Sequence, residues 1–307
     1  MKPNAGNKQR LTACLLMLLQ GMIYGLGDPL AKIAYSCVPV YMLLTVRYLL
    51  AAAVVFLLFG RQVAEDLRAC SVRDWIAPCA CVAVAYMLGN LALLYTNATS
   101  VAFLRSTSVI MTPLLAIVLF HRYPARTFLL PLCMSFAGLY LLCGRGSVSG
   151  FGLGELLALL TALFSAGALL FSKAALEKMR SVSLTAMQTV MSAILAIACM
   201  IFQGIPERLA APPPKVWLIM VYLALFSTIG TYLLQNIALE RIPARTVSLI
   251  KSFCPVMTAF FSYFILEETL SAAGIAGVAL ILGSIFLQTL WEGGAGTKRR
   301  AEAGRRM

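Results

Sequence analysis

Two stretches decide how this chain folds: Tyr86-Met-Leu-Gly-Asn90-Leu-Ala-Leu93 and Tyr232-Leu-Leu-Gln-Asn236-Ile-Ala-Leu239. They align without gaps at an offset of 146, and the register runs on through Ala98/Ala244, Val101/Val247, Arg105/Lys251, Ser106/Ser252, Met111/Met257 and Thr112/Thr258. Ten of the 27 positions from Tyr86 to Thr112 are identical. Shared apolar composition does not by itself align a Tyr, an Asn, a cation, a Ser and a Thr, so the chain carries an internal repeat. At an offset of 141 Lys32 falls over Lys173, and Arg47 falls over Gln188.

Composition supplies the solvent in which the repeat folds. Of 307 residues, 61% are hydrophobic and 12% charged. A water-soluble domain is about a quarter charged, so this chain has too few polar side chains to cover a surface in water. Apolar runs fall at 11–34, 39–59, 75–95, 98–120, 127–143, 153–175, 183–203, 216–238, 244–266 and 271–290. Most are near the roughly 20 residues that cross a bilayer as a helix. The chain thus reads as an all-α integral membrane protein of ten transmembrane helices. The organisation expected is a tail at 1–10, a first five-helix repeat at 11–143, a linker at 144–152, a second repeat at 153–290 and a basic tail at 291–307. Five spans per repeat is an odd number, so the second copy enters the membrane from the opposite face. Such inverted five-helix repeats have two near-equivalent arrangements, one open to each side, which is the physical basis of alternating access.

Charge gives the orientation. The chain has 25 Lys and Arg against 12 Asp and Glu, for a net charge of +13. With the N-terminus inside, 17 cations fall in cytoplasmic segments and three, Arg145, Arg208 and Lys215, fall outside. That asymmetry predicts both termini in the cytoplasm. The basic C-terminal cluster reads as a disordered orientation signal rather than a nucleic-acid site. The nine Cys show no metal or disulfide spacing and read as small hydrophobes.

Five cations remain inside spans: Lys32, Arg47, Arg105, Lys173 and Lys251. A cation at a helix centre costs about 2.5–3.5 kcal/mol on insertion scales, so it normally faces a cavity or a partner. Arg105 and Lys251 are equivalent by the repeat and each precedes a Ser, Ser106 and Ser252. They are expected to flank the midplane, each displaced by about 6 Å in opposite directions, where a carboxylate or phosphate could be gripped by one or both. Snorkelling to headgroups is the rival reading. Tyr86 with Asn90, and Tyr232 with Asn236, stand at i and i+4 on one helix face, which suits either a polar cavity wall or hydrogen bonding between helices. Tyr24, in Gly21-Met-Ile-Tyr-Gly25-Leu-Gly27, is a further cavity candidate on a small-residue face. Asp28 lies four residues before Lys32, the spacing of an intrahelical ion pair, and is the one carboxylate well inside a span; a role in proton coupling is the alternative. Lys173 and Arg47 complete the candidates for ion pairing or coupling.

Further features carry a resemblance: Arg47-Tyr-Leu-Leu-Ala-Ala in the second span, Ala238-Leu-Glu-Arg-Ile-Pro-Ala244 closing the eighth, Pro255 in the ninth, and Leu266-Glu-Glu-Thr-Leu270 followed by Gly274 and Gly283. With ten spans as a 5+5 inverted repeat, the chain resembles the EamA-type drug/metabolite transporter superfamily over about residues 11–290. One departure is His121-Arg122 where the second half has Glu267-Glu268. The resemblance implies a secondary transporter of small metabolites, often amino acids and often outward. The chain is expected in the inner membrane as a monomer or homodimer, without a cofactor or metal.

The expected function is therefore alternating-access transport of a small anionic or zwitterionic metabolite, with membrane lipid the other partner. The alternative within transport is an amino-acid or aromatic-metabolite exporter with a mainly apolar cavity. A membrane enzyme wants clustered His, Asp or Glu at one interface, which one His and one embedded Asp do not provide. A scaffold explains the helices but not the inverted match.

Overall fold

The computed structural model describes residues 5–95, 101, 104–121, 126–141, 152–203, 213–266 and 271–304. Within them the chain is helical, with no strand. The helices are α1 (Ala5–Tyr35), α2 (Val40–Ala69), α3 (Val72–Tyr95), α4 (Leu104–Phe120), α5 (Leu129–Leu139), α6 (Leu153–Ala175), α7 (Ser181–Gln203), α8 (Pro214–Arg241), α9 (Ala244–Ile265) and α10 (Ala272–Gly304). Seven segments within them are long and apolar enough to cross a membrane; the expected spans at 98–120, 127–143 and 271–290 appear as shorter apolar helices, Leu104–Phe120, Leu129–Leu139 and Ala272–Gln288. The connections at 96–100, 122–125, 144–151 and 204–212, and Glu267-Glu268, lie outside the described residues.

The distribution of side chains is that of a protein dissolved in lipid. Large apolar groups stand outward, Leu57 at 84% and Phe202 at 92% exposure, whereas Thr112, Ser135, Ser172 and Asn236 are fully enclosed. Exposed apolar surface on that scale belongs to a membrane or partner contact in any soluble fold. The polar groups turn inward because only there do they find partners.

At helix starts, prolines sit where their missing N–H is harmless: Pro39 caps α2, Pro213 and Pro214 open α8, and Pro243 precedes α9, whereas Pro29, Pro78, Pro113 and Pro255 lie inside helices. Glu155, in the first turn of α6, accepts the Gly152 N–H at 3.0 Å and complements the positive end of the helix. Three helices run past their expected bounds. α2 runs ten residues past Phe59, and α10 continues to Gly304, so the 291–307 tail is helical where described rather than disordered; likewise α1 begins at Ala5 inside the expected 1–10 tail. Hydropathy marks where the apolar run stops, but Arg, Gln, Ala, Glu and Lys sustain a helix beyond it.

The most extensive helix contacts are α3 with α6, α1 with α9, α2 with α7, α1 with α8 and α5 with α10, followed by α3 with α7, α4 with α6 and α2 with α8. The expected small-residue face of α1 is the reason for one of them. A Cβ on Gly25 would lie 2.5 Å from Met257 Cβ and 2.9 Å from Thr258 N, so only glycine lets α1 and α9 approach this closely. At one end of the bundle, polar bonds join α2 and α3 to the α6–α7 connection. Arg180 Nε donates to Asp66 Oδ1 at 3.0 Å, Ser183 donates to Asp66 Oδ2 at 2.6 Å, and Lys178 donates to Asp74 Oδ1 at 2.5 Å. That last hydrogen bond raises the pKa of the Lys178 ammonium.

Candidate functional site

A cavity of about 80 Å³ lies among α1, α2, α3, α4, α6, α8 and α9. Since a water needs roughly 10–15 Å³ on such a measure, it holds several waters or a small anion. Most of its lining residues carry polar side chains, and four are charged: Asp28, Arg47, Arg105 and Lys251.

Arg105 and Lys251 are delivered by matching breaks in their helices. Thr107 follows Arg105 by two residues and Ser252 follows Lys251 by one; their backbone angles are nearly identical, −62° and −9° against −64° and −9°. In each case the hydroxyl donates back along the helix, Thr107 to Leu104 O at 2.6 Å and Ser252 to Leu249 O at 2.5 Å. Such back-bonding tightens one turn and bends the helix. In α9, Pro255 also removes the N–H that would have bonded the Lys251 carbonyl.

The charges in the cavity are not equivalently matched. Arg105 donates through Nη2 to Asp28 Oδ2 at 2.9 Å and through Nη1 to Tyr24 Oη at 3.0 Å, with its guanidinium 5.1 Å from the Tyr24 ring centroid. Thr258 donates to the same Asp28 oxygen at 3.1 Å. The Asp28 carboxylate, expected to pair with Lys32 one turn away, is thus engaged across the bundle; Lys32 itself is exposed. Among the described residues Arg47 is held by neutral oxygens, donating to Thr228 Oγ1 at 2.7 Å and Ser227 O at 3.1 Å. Lys251 makes no hydrogen bond or ion pair among the described residues. Three cations and one carboxylate leave two positive charges uncompensated.

The Tyr–Asn pairs divide between the two readings open to them. Tyr86 and Asn90 line the cavity, and Asn90 accepts from Tyr35 while donating to Tyr86 O at 2.7 Å. Tyr232 and Asn236 lie behind the wall. Asn236 donates to Thr185 Oγ1 and Gln188 Oε1, each at 2.9 Å, and Gln188 donates on to Ser172 at 3.0 Å. Tyr232 joins the cavity only by ring contact, 5.2 Å from Tyr86. Ser106 and Ser252 both line the cavity, and the Ser252 hydroxyl also accepts from Ser135 at 2.8 Å. Lys173 is elsewhere, donating to Leu239 O and Glu240 O at the C-terminal end of α8, where a cation meets the negative end of the helix.

Sequence patterns missed Ser227, Thr228, Gln20, Thr161, Ser165 and Ser248. The first two depend on a π-helical turn at Leu225–Gly230. There Thr228 donates to Leu223 O at 2.9 Å, five residues back, and the extra residue in the turn rotates Ser227 and Thr228 toward Arg47. No group of His, Cys, Asp or Glu that could hold a metal occurs among the described residues.

The model of the EamA-like transporter family matches residues 11–144 and again 152–290. The chain belongs to the EamA-like transporter family. It is similar to an uncharacterized transporter of Archaeoglobus fulgidus, 25% identical over 92% of this chain and 87% of that protein. It is also similar to the uncharacterized transporter YcxC of Bacillus subtilis, 28% identical over 89% and 91%. A solved crystal structure shares the fold at a TM-score of 0.74 and 19% identity, covering 94% of this chain and 97% of its own. An EamA-family chain with outward apolar faces and enclosed polar networks is a multi-pass membrane protein.

Proposed function

We propose that this chain is an alternating-access secondary transporter that exports or exchanges a small organic metabolite bearing a carboxylate or phosphate. The observation that carries the reading is Lys251, an ammonium lining the central cavity with no counter-ion among the described residues. An ionic group is retained inside a membrane protein when it has a partner, and the partner that completes this site is an anion. Arg47 adds a second uncompensated cation, and Arg105 becomes available when Asp28 releases it. A zwitterionic amino acid fits the same site only if Asp28 turns from Arg105 to the ammonium. The four charged side chains in the lining favour this reading over a mainly apolar cavity.

Ten spans in two inverted five-helix repeats are part of this proposal. The family model matches once in each half. Exchanging α1 with α6, α2 with α7, α3 with α8, α4 with α9 and α5 with α10 carries each of the strongest contacts onto itself or onto another observed contact: α1 with α9 becomes α4 with α6, and α1 with α8 becomes α3 with α6. The excess of cations on one side supports a cell inner or plasma membrane with both termini in the cytoplasm.

The test is uptake into proteoliposomes against panels of carboxylates, organic phosphates and amino acids. Lys251→Gln should abolish saturable transport of the anionic solute, and Arg105→Gln should reduce it. Full transport by both variants, or transport confined to neutral solutes, overturns the reading.

A further inference from the structure

A second pocket lies apart from the central cavity. It occupies about 480 Å³ where the start of α1, the ends of α4 and α6 and the joint between α8 and α9 come together. That volume falls in the range of roughly 300–1,000 Å³ usual for small-molecule sites. Its polar rim holds Arg10, Lys173, Arg241 and Arg245 against a single carboxylate, Glu177. The Arg245 Nε is enclosed without a hydrogen-bond partner. Its floor is apolar, formed by Pro113, Ala116, Leu170 and Ile242.

One layer of hydroxyls separates this pocket from the central cavity. Thr112 lines the pocket, and its Oγ1 lies 2.9 Å from Ser248 Oγ, which lines the cavity; Ser248 donates in turn to Ser108 O at 3.0 Å. A cationic rim over an apolar floor recognises an amphiphilic anion, the charged group at the arginines and the body below. Four cations converging on a low-dielectric recess also raise the local concentration of anions.

We propose that this pocket is a second anion site, binding the phosphate or carboxylate of a small organic solute or of a lipid headgroup one hydroxyl layer away from the central cavity. It shares an anion chemistry with the transport reading but does not rest on it, because occupancy requires neither transport nor the central cations.

The test separates the two sites by measuring phenyl phosphate binding to the purified full chain carrying Arg105→Gln and Lys251→Gln, by calorimetry in neutral detergent. Saturable binding should persist there. Adding Arg241→Gln and Arg245→Gln should weaken it about tenfold or more, the scale of losing charge-assisted contacts, whereas Arg245→Lys should retain most of it. Ala116→Phe, which fills the floor and leaves every charge in place, should weaken it as well. No saturable binding in the Arg105/Lys251 background, or equal affinity with and without the rim arginines, overturns the proposal. Nanodiscs then distinguish the source. A headgroup occupant makes phenyl phosphate bind more weakly when phosphatidylglycerol is added to phosphatidylcholine; a soluble occupant leaves the affinity unchanged. Failure of transport in the Lys251→Gln protein speaks to the central cavity alone, so the two proposals fail independently.

Discussion

Arg105 and Asp28 are joined at 2.9 Å, a bond that ties α4 to α1 across the central cavity and occupies the guanidinium with an internal carboxylate. Asp28 thus stands where the carboxylate of an incoming solute would bind, and an anion that engages Arg105 must displace it. The pair is about a quarter exposed, so its worth is discounted for screening to about 1 kcal/mol.

On the proposed anion reading, Asp28→Asn should bind the anionic solute about fivefold more tightly, the equivalent of about 1 kcal/mol, while slowing turnover because the empty site no longer neutralises its own charge. Solute titration of the purified variant, followed by uptake kinetics, measures both. Unchanged or weaker binding would show that Asp28 does not compete with solute.

Gly25 makes the second prediction. A methyl there would meet Met257 Cβ at 2.5 Å and backbone atoms of Met257 and Thr258 at 2.9 Å, and backbone cannot swing aside as a side-chain tip can. Gly25→Ala should cost at least the 1–3 kcal/mol typical of overpacking and lower the apparent melting temperature in detergent. Gly60→Ala, with nothing within 4 Å, is the matched control and should be neutral or slightly stabilising. Equal effects at the two positions would contradict the α1–α9 contact.

How far these features are legible in the sequence depends on the range of the interaction. Arg105 and Lys251, aligned by the sequence repeat, both line the central cavity. Spacing alone favours Asp28 with Lys32, one turn apart; Arg105 is 77 residues away and only the tertiary fold makes it a partner. Tyr86/Asn90 and Tyr232/Asn236 share a motif yet differ in surroundings: the first pair lines the cavity, and Asn236 bonds to Thr185 and Gln188. The Ser227–Thr228 contact with Arg47 escapes a 3.6-residue period because a π turn shifts the face by one residue.

Asn236 and Asn90 test that asymmetry. Asn236 is fully buried and hydrogen-bonded to Thr185 and Gln188, and polar bonds between membrane helices are worth about 0.6–2 kcal/mol. Asn236→Leu should lower thermal stability and leave the solute affinity of the surviving folded protein near wild type. Asn90→Leu, on the cavity wall, should do the reverse. A solute affinity lost in Asn236→Leu but kept in Asn90→Leu would exchange the roles assigned to the two halves.

Arg47 tests what a buried guanidinium does when no carboxylate answers it. Its Nε bond to Thr228 at 2.7 Å and its Nη2 bond to the Ser227 carbonyl at 3.1 Å join α2 to the π turn of α8. The symmetric position is Gln188, which makes its own hydrogen bonds with no charge, so the fold tolerates an amide there. Arg47→Gln should accordingly yield folded protein, destabilised by about 1.5–3 kcal/mol for the charged hydrogen bonds, with weakened anion affinity because one of the uncompensated cavity cations is gone. Arg47→Lys keeps the charge but lacks the fork needed for both oxygens, so it should preserve affinity better than stability. A double-mutant cycle with Thr228→Val isolates the anchoring bond: a coupling energy near zero would mean that Arg47 owes its position to something other than the π turn.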